Sequence, residues 1–292
     1  MNAECGQSVL VYDIGGSHVS ASLCTTDRLA LSEVQRATLA DDVSPEAFVD
    51  LLTELGRKAV NGGPVPAGAS VAIPGPFEFD VGISRMHHKL PKLFGYDLRT
   101  ALAKRLGCDP AAVRFLGDAA SFLVGELAAG AAAGAARAVG ITLGTGIGSA
   151  FARDGRWVTS GEAVPPGGEI WNLPYADGTV EDLLSTRALR KDYETRTGRN
   201  PEVAEIAAAA ASDPDARAVF ETFGEHLGQV FRVILGPFAP DVIVIGGGIS
   251  RSSRLFFPAA ERQLAGLPGF RLVPSSLLEH ATLLGAAAHW RS

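Results

Sequence analysis

Apolar residues fall along the chain in short runs and in helical periods, and the two kinds alternate. Residues 8–14 are an almost unbroken apolar run of strand character that ends in Gly15-Gly16. A second strand-like stretch, 18–23, follows directly, so strand, Gly turn and strand read as a hairpin. Ser44-Pro45 opens a helix with apolar positions at Phe48, Leu51, Leu52 and Leu55. Residues 69–73 form a short apolar strand stopped by Pro74-Gly75-Pro76. Asp97 caps a helix to about residue 106, 113–116 is a strand, and 118–129 a helix. The pattern then restarts. Residues 139–143 are a strand, Gly144-Thr145-Gly146 a turn, and 147–153 another strand. Pro214 opens a long helix to about residue 235. The apolar strand 241–245 then runs into Gly246-Gly247-Gly248, with a helix from about Ser253. Residues 279–289 close the chain as a helix.

Alternating strands and helices predict α/β layers. The repeated hairpin predicts two similar halves around a cleft, with a boundary near 118–139 and a tight hinge. The division expected is 1–118 for the N-terminal domain, joined by the closing helix 279–292, and 119–278 for the C-terminal domain. Pro74-Gly75-Pro76 and the stretch 125–134 are the hinge candidates.

Composition narrows the function. The 292 residues are 47% hydrophobic and 20% charged, which describes a folded globular chain. The Ala/Gly-rich run 127–136 is too short for a membrane span, and Arg137 closes it. The first apolar run has no basic residues before it and meets Asp13, so no signal peptide is expected. Three widely spaced cysteines, Cys5, Cys24 and Cys108, suggest reduced thiols and a cytoplasmic location. A net charge of −6 without a Lys/Arg cluster argues against nucleic acid.

Three Gly-rich turns follow apolar strands: 13–17, 144–148 and 246–248. Such turns let backbone N–H groups approach phosphate oxygens, although any one of them can be a plain tight turn. Other nucleotide motifs fail. There is no Gly-Lys for a Walker A loop, and Gly144-Thr145-Gly146-Ile147-Gly148 has the wrong spacing for a dinucleotide fingerprint. A protein-kinase catalytic loop and a Gly-x-Ser-x-Gly elbow are also absent.

Val11-Tyr12-Asp13-Ile14-Gly15-Gly16-Ser17 resembles the first phosphate motif of actin-like sugar kinases. Residues 140–148, from Gly140 to Gly148, resemble their second phosphate motif, and 242–250 their adenosine motif. Gly117-Asp118-Ala119-Ala120 followed by Gly125-Glu126 resembles the segment that carries their catalytic base. In this order, from about Val9 to Ala288, the motifs are similar to those of the ROK family of bacterial glucokinases, related hexose kinases and sugar-responsive repressors.

The resemblance implies two actin-like (ribonuclease H-like) α/β domains and ATP-dependent phosphorylation of a hexose hydroxyl, with magnesium. It implies Asp118 as base, although an Asp at that junction also suits a helix N-cap. Asp13 would orient magnesium-bound water, or bond its own turn. Gly15, Gly16, Ser17, Gly144, Thr145 and Gly146 would hold phosphates, and Gly246, Gly247 and Gly248 would face the nucleoside. Glu169 and Glu181 would accept sugar hydroxyls, with Gly75 and Lys89 nearby. Trp171 would stack on the sugar or else pack in the core.

Three positions depart from the family pattern. Gly117 stands where an Asn usually precedes the catalytic Asp. Lys89, in His87-His88-Lys89-Leu90-Pro91, stands nearest a second usual Asn. Both put glucose itself in question as substrate. The family's zinc loop lacks its ligands, since Trp171 occupies the His region and no Cys occurs between Trp171 and Glu181, so no structural zinc is expected. Polyphosphate as donor and a non-catalytic sugar-binding regulator remain the alternatives. A small-molecule sugar is the expected partner, and a homodimer is left open.

Overall fold

The computed structural model describes residues 7–87, 89–266, 269 and 271–291. The chain divides into two units, 1–129 with 279–292, and 130–278.

The first unit contains β1 (Ser8–Ile14), β2 (His18–Thr25), β3 (Ala30–Leu31), β4 (Gln35–Thr38), α1 (Pro45–Val60), β5 (Ala69–Ile73), β6 (Phe77–Glu78), β7 (Ile83–Ser84), α2 (Leu98–Leu106), β8 (Val113–Gly117) and α3 (Asp118–Ala129). Its main sheet runs β3-β2-β1-β5-β8, with β4 also paired to β2. β1 and β2 are antiparallel, whereas β1, β5 and β8 are parallel. The expected caps form: Ser44 Oγ accepts the Ala47 N–H at 3.2 Å, and Asp97 Oδ1 accepts the Thr100 N–H at 2.9 Å. Phe48, Leu52 and Leu55 are buried as the helical period requires.

The second unit contains β9 (Arg137–Leu143), β10 (Ile147–Arg153), β11 (Arg156–Val158), β12 (Pro174–Tyr175), β13 (Gly178–Thr179), α4 (Val180–Leu183), α5 (Thr186–Thr197), α6 (Val203–Ala209), α7 (Pro214–Val230), β14 (Val242–Gly246), α8 (Ser253–Leu264) and β15 (Arg271–Pro274). Its sheet runs β11-β10-β9-β14-β15, the same order of antiparallel and parallel pairings as the first. The long helix expected from Pro214 to about 235 is α-helical only to Val230; Phe231–Leu235 continues it as a π-helical turn.

The chain then returns to the first unit as α9 (Ala281–Arg291). The expected boundary after Asp118 shifts, because α3 packs with α9 in the first unit. The two helices touch backbone to backbone. A Cβ on Gly125 would collide with the Ala281 carbonyl oxygen, and one on Gly285 with that of Ser121. Gly125 is therefore fixed inside a helix pair by close approach, and its expected part in a hinge does not follow.

Candidate active site

Asp13 is the next-to-last residue of β1, and the turn after it carries Gly15, Gly16 and Ser17. Gly15 donates its N–H to the His18 carbonyl at 2.9 Å, which closes the hairpin. A Cβ at Gly15 would come within 2.9 Å of the His18 ring, whereas one at Gly16 would meet open space. The Gly15 N–H is thus spent inside the turn. That corrects the expectation that it faces phosphate; Gly16 and Ser17, both exposed, are the outward members.

The second hairpin turn repeats this. Gly144 donates its N–H to the Gly146 carbonyl at 2.9 Å, so it too is withdrawn from any ligand, and Thr145 is the exposed residue. Glu181 lies against this turn. Its carboxylate accepts the Ile147 N–H at 3.2 Å, and a Cβ on Gly146 would collide with its Oε2. Gly146 is there because the carboxylate occupies the space a side chain would fill.

The third turn leaves β14 at Gly246. Gly247 has φ +81°, and a Cβ there would collide with the Leu143 carbonyl oxygen. Glycine at 247 therefore serves packing against β9 as well as any ligand. Gly248 is exposed and meets nothing.

Asp118 ends the β8-to-α3 junction as the first residue of α3, exposed, with Oδ1 accepting the Ala119 N–H at 2.8 Å. Burial pushes the Asp13 carboxyl up to about 7; the Asp118 charge pushes the same way, and Arg36 opposes both. A hydrated divalent cation such as magnesium, which takes oxygen ligands, would offset the effect of the Asp118 charge on Asp13. Gly117, at the end of β8, packs toward the Phe79 ring.

Gly75 is half-buried and joined to Pro76 by a cis peptide. Lys89 is half-buried in the segment after β7; His88 lies outside the described residues. His87 stacks on Phe94, with ring centroids 4.2 Å apart.

In the second unit, Glu169 is exposed and accepts a hydrogen bond from Trp171 Nε1 at 2.9 Å. Trp171 is 43% exposed, so core packing, one of the two readings the sequence allowed, is excluded. Ser149 of β10 brackets Glu169: its hydroxyl donates to the Gly168 carbonyl at 2.7 Å and accepts the Ile170 N–H at 3.1 Å. The loop from Trp171 to Glu181 is tied at both ends, Glu181 N–H to the Trp171 carbonyl and Val180 N–H to the Leu173 carbonyl. Tyr175 anchors its tip, donating to Gln229 Oε1 at 2.7 Å with His226 Nδ1 at 3.2 Å. Neither Ser149 nor the Tyr175 anchor was legible in the sequence, where only an aromatic in a short loop hinted at the latter.

The model of the ROK family matches residues 9–292. A glucokinase of Thermotoga maritima is 28% identical, over 94% of this chain and 95% of its own. An N-acetyl-D-glucosamine kinase of Escherichia coli is also 28% identical, over 90% of this chain and 89% of its own. A ROK family glucokinase from Streptomyces griseus, solved in complex with glucose and AMPPNP, has the same fold. Its TM-score is 0.81 at 21% identity, over 97% of this chain and 99% of that one.

Proposed function

The chain belongs to the ROK family, and we propose that it transfers the terminal phosphoryl group of ATP to a hydroxyl of a hexose or N-acetylhexosamine. The observation that carries this reading is the exposed Asp118 carboxylate at the start of α3, whose charge acts on Asp13 beside the first Gly-rich turn. The names of the full-length relatives, a glucokinase and an N-acetylglucosamine kinase, support the sugar as acceptor.

Asp118 takes the proton of the attacking hydroxyl as the bond to phosphorus forms, and the leaving diphosphate departs as ADP. Donor phosphates are held by N–H groups of Gly16 and Ser17 and of Thr145 and Gly146, since Gly15 and Gly144 are engaged in their own turns. Gly246–Gly248 accommodates the nucleoside. Asp13 orients the water shell of a magnesium ion that, when bound, offsets phosphate charge. Glu169 accepts sugar hydroxyls, and Trp171 both orients Glu169 and offers its face to sugar C–H groups. Glu181 holds the Gly146 turn and presents its remaining oxygen to the sugar. Gly75 and Lys89 line the acceptor's approach.

The test is ADP release across a panel of hexoses and N-acetylhexosamines with ATP and magnesium, repeated with polyphosphate. Stimulation by one sugar with ATP is expected. Stimulation only with polyphosphate would change the donor, and silence across the panel would favour a sugar-binding regulator.

A further inference from the structure

Arg36 lies in β4, the strand paired to the outer side of β2. The register sets Arg36 opposite Ser20, and Ser20 opposite Asp13. Residues directly opposite each other share a face of the sheet, so Asp13, Ser20 and Arg36 form one row across three strands. The other face belongs to the preceding residue, Tyr12, whose hydroxyl donates to the Leu52 carbonyl of α1. Ser20 is small and buried, which leaves room for a long side chain to reach over it toward Asp13. The guanidinium is half-exposed, and Nη2 lies 3.3 Å from Glu279 Oε1, just before α9.

Asp13 stands in this row and its carboxyl feels the opposing charges of Asp118 and Arg36, while Glu279 pairs with Arg36 directly. A site for a polyanionic nucleotide gains from a fixed positive fork there. Guanidinium meets phosphate in a bidentate geometry that a single exposed carboxylate contact at 3.3 Å does not match. Such an exposed ion pair is weak and readily exchanged.

We infer that Arg36 is a phosphate-binding residue of the donor site, exchanging its contact with Glu279 for the terminal phosphates of the nucleotide. This rests on the kinase reading above. Arg36 then supplies the charge that the Gly-rich turns, built from neutral N–H groups, lack. Glu279 is its parking partner until the nucleotide arrives.

Calorimetric titration of ATP with magnesium, and separately of AMP, separates this from a purely structural role. The proteins are the wild type, Arg36→Lys, Arg36→Gln and Glu279→Gln. Arg36→Gln should weaken ATP by about tenfold or more while AMP, which lacks the outer phosphates, changes by less than about twofold. Arg36→Lys should recover part of the loss, and Glu279→Gln should leave ATP affinity unchanged or tighter. ATP bound by Arg36→Gln within about twofold of wild type overturns the inference. So does an equal loss for ATP and AMP, or a Glu279→Gln loss that matches that of Arg36→Gln, since both mark damage to the sheet edge. Wild type that binds ATP but phosphorylates no sugar defeats the kinase reading alone; wild type that binds no ATP defeats both.

Discussion

Asp118 holds the Ala119 N–H with one carboxylate oxygen. Asparagine in its place keeps an acceptor for that N–H, so the start of α3 should survive while the proton acceptor is lost. General-base loss typically lowers rate by about 10²–10⁴-fold, and Asp118→Asn should fall in that range with sugar affinity kept. Turnover measured beside sugar binding checks this, and near-normal turnover would leave Asp118 only its role at the helix start. Asp13 carries a different tension, because burial and Asp118 both disfavour its charge. Asp13→Asn should therefore raise the melting temperature at pH 8 in chelator while abolishing magnesium-dependent ADP release, a split that paired melting and activity assays read directly. Asp13, Asp118 and the Gly-rich turns were legible in the sequence because each is a local motif at a strand end. Ser149 and Arg36 were not, because their roles come from register: β10 brings Ser149 to a loop about twenty residues away, and two strand pairings set Arg36 in the Asp13 row.

Among the helices and strands, local signals predicted most of the frame. Ser44 and Asp97 cap α1 and α2 as read, and the repeated hairpin became two sheets of one topology. Helices α5 and α6 went unread, since α5 is strongly polar and α6 is a short alanine-rich stretch; neither announces an apolar stripe. Gly125 misled because flexibility and close packing both select glycine. The α3–α9 contact gives a direct test: Gly285→Val would drive side-chain atoms into the Ser121 carbonyl, a backbone atom that cannot turn aside. A loss of at least about 3 kcal/mol is expected in denaturant melts. The β12–β13 hairpin of the 171–181 loop is held by the Thr179–Asp182 capping box and by the Tyr175 anchor on α7. If these bonds suffice to hold the loop, no metal is needed there. Chelator should leave the melting curve unchanged, whereas Tyr175→Phe should raise the sugar KM more than it lowers kcat. Stoichiometric zinc in the purified protein would overturn this account of the loop.

The first unit depends on a helix, α9, that the chain supplies only after building the second. Ala281, Leu283, Ala286 and Ala287 of α9 are buried, and its last turn is tied to distant segments. Trp290 Nε1 donates to the Ala112 carbonyl at 3.2 Å, Arg291 to the Thr26 carbonyl at 2.9 Å, and Arg114 to the His289 carbonyl at 3.4 Å. His289 sits within this closure, and burial, with the nearby Arg114 charge, holds its imidazole below the usual histidine range. Below the ordinary histidine value the unfolded chain takes up a proton that the folded unit resists. The unfolded state then binds more protons, so stability declines as pH falls. Between pH 7.5 and 5.5 the first unit should lose stability, at about 2–4 °C of melting midpoint for each kcal/mol. His289→Asn, which cannot charge, should flatten that part of the profile. The comparison of the two proteins isolates His289 from every other titrating group, and parallel pH profiles would show that it stays neutral at no cost to the fold.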